Sequence, residues 1–403
     1  MTWKARGVAA LTAITLALAI SACAPASPAN RAPAGTSASA NPAPAAFAVT
    51  SNVAADAKDV PVDTLLKVSA STGALKDVAV TGSATDRNGK TVSTTVKGSV
   101  GADGSWTASE RLDPATTYTV VSTGSAPAGE SSLTSTFTTT ALSLKQQIYV
   151  TITNQSGSTY GVAMPVIVQF DLPVKDKKAF EQNLKITTVP AQNGSWGWVS
   201  DREVQWRPQD YFQPGTKVSV KADLNGVSAG NGTYGQNSAS ADFTIGQSRI
   251  TKVDLGSKQL TQYVNGQSVA TIPVSGGKQG DETRSGTSVA MEKLPETRMA
   301  SETVGIANNS PDGYDLMVKY AIRITTSGEF LHAAPWNQAY FGNTNASHGC
   351  VGMSTADAQK IFGIIQVGDP VVVSGTNRSL DDGNGWTAWN DSWQQWQARS
   401  AQA

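Results

Sequence analysis

Histidine and cysteine are almost missing from this chain: 403 residues contain two of each. So small a set excludes a disulfide-stapled scaffold and a cysteine-rich zinc fold. Charge is sparse as well, with 15% of residues charged and 31 basic side chains balanced by 31 acidic ones. That balance offers no basic footprint for nucleic acid, and no nucleic-acid partner is expected. Long apolar runs are lacking except for residues 8–20, which are too few for a transmembrane helix. Extended helical periodicity is also scarce. Glycine, serine, threonine and valine are plentiful instead, and the fold class expected is mainly β.

The N-terminal residues 1–22 read as an export signal, with Lys4 and Arg6 ahead of the apolar run. Ile20-Ser21-Ala22-Cys23 then resembles a lipobox, in which Cys23 is diacylated and becomes the mature N-terminus. Two acyl chains give stable anchoring to a membrane where one is marginal. Residues 23–46, rich in Ala, Pro and Ser, cannot bury a core and read as a flexible tether.

Residues 47–141 and 146–247 form an internal repeat. Trp106 and Pro114 recur as Trp206 and Pro214, Leu112 to Val120 aligns with Phe212 to Val220, and Phe137 answers Phe243. Alternating apolar residues with regular turn signals predict two immunoglobulin-like β-sandwiches of about seven strands each. Neither repeat contains Cys or His, so both are read as spacers. Trp196, Trp198 and Trp206 are expected in core and interface ahead of any sugar-binding platform.

A third unit spans 249–376. Asn265-Gly266, flanked by alternating residues, signals a hairpin. Met299 and Tyr314 lie in a weakly periodic stretch that predicts a long, lid-like loop. Ser354-x-x-Asp357 opens a helix with Ala358, Ile361, Phe362 and Ile365 on one face. The tail, 377–403, carries Trp386, Trp389, Trp393 and Trp396 at spacings that predict a single helical stripe, expected to pack on the second β-domain.

Three of the four rare residues meet in one stretch, as His332, His348 and Cys350. In an exported chain Cys350 has no disulfide partner left, so it must be used or buried. In Ser347-His348-Gly349-Cys350 the two reactive side chains are two apart, on one side of an extended segment. A neighbouring imidazole can lower a thiol to a pKa of ~3.5–7.5 and make it a nucleophile. Backbone N–H groups at Gly349 and Cys350 could hold an oxyanion, a contribution of ~3–4 kcal/mol. Either histidine can be the base on spacing alone. A zinc site made of His332, His348 and Cys350 is the alternative of another class.

His332 followed by Ser347-His348-Gly349-Cys350 resembles the signature of the YkuD-type L,D-transpeptidases. The text from Gly313 through Asn337 is similar to their mycobacterial and actinobacterial members. The resemblance implies a cysteine acyltransferase that needs no cofactor or metal. Its partners would be peptidoglycan tetrapeptide stems, donor and acceptor, joined between third-position diamino acids through a Cys350 thioester with release of D-Ala. Carbapenems would inhibit it. By resemblance His332 is the base, oriented by the Ala333 backbone carbonyl, and His348 polarises or orients substrate. Tyr314, Met299, Trp336, Ser347 and Asn345 would bind substrate. The enzyme would sit lipid-anchored on the outer face of the cytoplasmic membrane and reach into the wall.

Two departures stand out. Gly352 replaces the usual Asn or Arg, and Thr283-Arg284-Ser285-Gly286-Thr287 lacks the proline of the corresponding segment. An L,D-carboxypeptidase passing the acyl group to water would use the same residues. A catalytically dead wall-binding lipoprotein would differ only in lacking activity.

Overall fold

The computed structural model describes residues 43–403 apart from 87, 306, 308 and 311. The expected export signal, Cys23 and most of the expected tether lie outside the described residues.

Two facing four-stranded sheets build the first β-unit. One contains Ala48–Ser51, Lys67–Thr72, Trp106–Ala108 and Gly98–Val100; the other contains Thr91–Val96, Ala74–Thr85, Thr117–Ala126 and Gly129–Thr138. That is one strand more than about seven, because the chain changes sheets at Lys97 and splits one run in two. The second unit pairs Val150–Ile152, Val166–Phe170, Glu203–Pro208 and Gly194–Trp198 in one sheet. Thr159–Tyr160, Ala239–Ile245, Lys217–Ala222 and Leu184–Val189 make the other, with a small three-stranded sheet beside them.

The positions shared by the repeat are core positions. Trp106, Leu112, Val120 and Phe137 are buried in the first unit, and Trp206, Phe212, Val220 and Phe243 in the second. Trp196 and Trp198 are buried as well and offer no open platform.

The third unit is organised around two sheets. The five-stranded one runs Gln267–Pro273, Gln259–Val264, Arg249–Asp254, Pro370–Ser374, Gly286–Val289. Its first hairpin turns at Asn265 and Gly266, both at positive φ (48° and 80°), as a tight two-residue turn requires. The four-stranded sheet runs Glu292–Ala300, Asp315–Arg323, Phe330–Ala333, Val351–Met353. Met299 therefore lies in a strand. The expected loop is a two-stranded antiparallel flap, in which Met299 pairs with Leu316 and Arg298 grips Asp315 at 2.6 Å. Pro295 on the edge strand and the exposed outer face hid this from the apolar pattern.

The tryptophan tail is not one helix. A 3₁₀ turn at Ala388–Asn390 and a five-residue helix, Trp393–Gln397, bring the indoles together. Three of them surround a single cation: Arg207 of the second β-unit lies 4.7, 5.5 and 5.3 Å from the rings of Trp389, Trp393 and Trp396. The Trp396 indole N–H donates to the Ser195 carbonyl at 3.0 Å, and Trp389 donates to Ala163 at 2.8 Å.

Backbone bonds tie the same two units together. Gly161 N–H donates to Val367 O at 2.8 Å and Ala163 N–H to Gly368 O at 2.9 Å. A Cβ on Gly161 would stand 2.1 Å from Asp369 Oδ1, so only glycine allows the approach. Asp369 is wholly buried there, and burial pushes its carboxyl up from 3.8 to about 7. Such a group stabilises the fold fully below pH 3.8, progressively less as pH rises, and not at all above about 7. Asp369→Asn removes the charge and keeps an acceptor for the Gln366 N–H. Denaturant titrations from pH 4 to 8 should show the wild type losing stability over that range, at about 1.4 kcal/mol per unit at most. The variant should lose less, and equal slopes would contradict the assignment.

Candidate active site

The strand Phe330–Ala333 is buried at every position and pairs in parallel with Val351–Met353, His332 opposite Gly352. Cys350 immediately precedes that second strand. The ladder thus sets the imidazole and the thiol on adjacent strands, and both line one cavity of about 290 Å³. Tyr314, Trp336, Ser347 and His348 line it too, with Met299 contributed by the flap. Behind Cys350, Ser354 caps the helix Thr355–Ile364 by accepting the Asp357 N–H, and Ala358 and Ile361 bury its inner face.

His332 is 6% exposed. Its Nδ1–H donates to the Ala333 carbonyl at 2.8 Å, which leaves Nε2 as the ring nitrogen with a free lone pair. Burial pulls its pKa below 6.5, and the Ala333 bond opposes this only in part. Trp336 stacks on it with ring centroids 6.1 Å apart.

The segment before Cys350 is a turn, not an extended run. Gly349 has φ +124°. Ser347 Oγ accepts the Gly349 N–H at 3.1 Å and donates to the Cys350 carbonyl at 2.6 Å. The Gly349 amide is consequently occupied, which corrects its expected place in an oxyanion site. Among the described residues no acceptor meets the Cys350 N–H. His348 and Cys350 also part company. His348 Nε2 sits 3.2 Å from Lys278 Nζ and 3.5 Å from Asp312 on the flap, and its ring leans on Tyr314. His348 is thereby a contact between motif and flap, while His332 is the imidazole whose Nδ1 is fixed on the Ala333 carbonyl.

The thiol itself differs from a preformed thiolate. Cys350 Sγ–H donates to the Gly328 carbonyl at 3.6 Å, and burial pushes its pKa from 9.0 up to about 12. Glu329 pushes in the same direction, while the Phe330 N–H and Arg323 oppose. An imidazole that is itself buried and neutral supplies no charge to stabilise a thiolate. These surroundings oppose the expected lowering of the thiol pKa.

Asn345 does not reach the cavity. Its side chain is satisfied by backbone instead, accepting the Gly276 N–H at 3.0 Å and donating to Leu255 O at 3.1 Å. A short amide on a loop readily finds such partners. Among the described residues no group of three His, Cys, Asp or Glu side chains converges as a metal site would require. Gly352 lines the cavity, and a Cβ there would lie 2.9 Å from the Ala334 Cβ. Sequence reasoning missed Glu329, Arg284, Lys278 and Asp312, which surround the motif. One signal was visible: Arg284 stands where the resembling segment has proline.

Known proteins resemble this chain over both its β-units and its third unit. A model of the L,D-transpeptidase catalytic domain matches residues 248–373, and one of a bacterial Ig domain matches 57–228. L,D-transpeptidase 2 of Mycobacterium tuberculosis is 35% identical over 357 residues, covering 88% of this chain and 85% of that protein. L,D-transpeptidase 1 of the same species is 36% identical over 220 residues, 55% of this chain and 82% of that one. A solved LD transpeptidase in complex with imipenem is 36% identical and covers 55% of this chain and 97% of its own, with a TM-score of 0.49.

Two outcomes test the geometry. Because His332 stays neutral below its ordinary value, the acid limb of Cys350 acylation by a carbapenem should have its midpoint below pH 6.5. A midpoint at or above 6.5 would contradict a buried base. Gly352→Ala should cost about 1–3 kcal/mol in chemical denaturation through its clash with Ala334. Adding Ala334→Gly should recover part of that loss, a coupling visible in a double-mutant cycle.

Proposed function

This chain belongs to the L,D-transpeptidase family, and from that premise we propose that it cross-links peptidoglycan stems through a thioester on Cys350. The observation that carries the reading is the Nδ1–H bond from His332 to Ala333, which presents Nε2 to the cavity that Cys350 lines.

Cys350 attacks the carbonyl that precedes D-Ala in a tetrapeptide stem while His332 Nε2 takes the thiol proton. Because thiol and imidazole both rest neutral, proton transfer accompanies attack. The Cys350 N–H, which meets no acceptor among the described residues, serves as donor to the developing oxyanion. Collapse breaks the amide bond, His332 returns the proton to the leaving amine, and D-Ala departs. The side-chain amine of a second stem's third-position diamino acid then gives a proton to His332 and attacks the thioester. The cross-link forms, and the sulfur leaves as a thiol with that proton. Tyr314, Trp336 and Met299 wall the stem and limit water, which favours transfer over hydrolysis.

A carbapenem presents a strained acyl group to the same sulfur and should acylate it. The lipobox at Cys23 supports anchoring on the outer face of the cytoplasmic membrane, with the tether reaching into the wall. The rival reading is an L,D-carboxypeptidase, in which water takes the place of the acceptor amine.

Intact-mass spectrometry after carbapenem exposure should show one covalent adduct, absent in Cys350→Ala. Incubation with purified tetrapeptide dimers should yield cross-linked product and free D-Ala in equal amounts. D-Ala release without cross-links would replace the transferase by the hydrolase. An adduct that persists in Cys350→Ala would overturn the nucleophile.

A further inference from the structure

Glu329 lies directly behind the nucleophile and has no part in the mechanism above. It follows Gly328, whose carbonyl accepts the Cys350 thiol, and precedes Phe330, whose N–H faces the sulfur. Its residue surface is 4% exposed, and its Oε1 would lie 3.4 Å from a Cβ built on Gly349. The carboxylate thus fills the space under the turn that carries Cys350. Oε1 accepts from Arg284 Nη1 at 2.8 Å, while Oε2 is buried with no partner among the described residues.

A carboxylate in so dry a place is costly unless paired. Arg284 is the pair, itself largely buried and held from its far side by Asp381 at 2.9 Å. Arg378 is the further cation that acts on Glu329. Toward the sulfur, Arg323 is the charge of opposite sign, and His332, Tyr314 and His348, the last with Lys278 and Asp312 beside it, are the remaining titratable groups around the cavity. Burial raises the Glu329 carboxyl above its ordinary value, and Arg284 opposes this in part. With a guanidinium at hydrogen-bond distance, the ionised form is the one that the pair stabilises.

Resting on Cys350 as the nucleophile, we propose that Glu329 is a positioning residue for it. Glu329 braces the Gly349–Cys350 turn from beneath and holds a fixed negative charge against which a thiolate must form, and Arg284 sets how much of that charge the sulfur feels. The consequence is selectivity in time. The sulfur remains a thiol toward solvent electrophiles and becomes reactive when substrate places a carbonyl within reach of both it and His332.

The test is the pH dependence of Cys350 alkylation by iodoacetamide in the full chain, followed as the mass of the Cys350 peptide. Glu329→Gln keeps the shape and removes the charge; its thiolate fraction at a given pH should rise about tenfold. Arg284→Gln leaves the carboxylate uncompensated and should move the profile the opposite way. Merely loosening the turn would move both variants in one direction, so opposite shifts carry the proposal. Shifts of one sign, or none, would overturn it. Should either single change prevent folding, the double Glu329→Gln/Arg284→Gln variant leaves no lone buried charge. Its profile should fall as for Glu329→Gln, and an unmoved profile would equally overturn the proposal. Alkylation requires neither stem nor carbapenem. Failure of the transpeptidase reading would therefore appear as lost cross-linking with these profiles intact.

Discussion

The parallel ladder between Phe330–Ala333 and Val351–Met353 is the constraint on which the active site depends. Catalysis needs a base and a sulfur held within a side chain's reach, and side chains alone are too free to guarantee that. Here the separation is set by the backbone spacing of two paired strands. One residue of register slip would turn His332 away from the cavity, because neighbouring strand positions face opposite sides. The slip is prevented from several directions. Leu331, Val351 and Met353 are buried in the core of the domain. Gly352 and Ser275 exchange two backbone bonds, 2.8 and 2.9 Å, which fasten the nucleophile strand to the other sheet. Ser347 N–H and Lys278 N–H continue that fastening into the motif itself.

Rigidity of this kind carries an electrostatic consequence. Walls that fix the sulfur also desolvate it, and desolvation favours the neutral form of both thiol and imidazole. An ion-paired thiolate would need a charged imidazole, and His332 is kept neutral by the burial that keeps the thiol protonated. In the reaction proposed above, the two groups are a neutral acid and a neutral base that exchange one proton when a carbonyl arrives. A protonated resting sulfur is also the less oxidisable one, since the thiolate is the form that oxidants attack.

Legibility in the sequence followed how local each determinant is. The β class, the repeat, the Asn265-Gly266 hairpin and the Ser354 cap depend on composition, period 2 or a few adjacent residues, and could be read directly. His332 and Cys350 were legible because rarity isolates them. The flap was not, since its strands hold together through cross-strand pairs such as Arg298–Asp315 that no single-strand pattern displays. The tail defeated periodicity for a related reason. Trp389, Trp393 and Trp396 do converge, yet on Arg207, a residue far away in the chain, and no continuous helix is needed. Asn345 and Glu329 show the same limit from opposite sides. A polar residue beside a motif can be wholly occupied by backbone, and one outside the motif can lie beneath its turn.

The Arg207 cage also bears on why a β-sandwich accompanies the catalytic unit. A spacer on a hinge would meet its neighbour through a wet, replaceable surface. Here a guanidinium is buried deeply enough to bring its pKa down to about 10, a cost that three indole faces and the Asp391 carbonyl offset. Glu181 adds to this by accepting the Trp198 indole N–H at 2.9 Å and the Ala401 N–H at 2.8 Å, so the chain's end is clasped within the second sandwich. The loop at Gly161–Ala163 meanwhile bonds the backbone just ahead of Pro370–Ser374, a strand of the catalytic sheet. The second sandwich is accordingly part of the catalytic body. Its orientation is fixed by backbone bonds and buried charge, so a force on the sandwich reaches the sheet that holds the nucleophile strand in place.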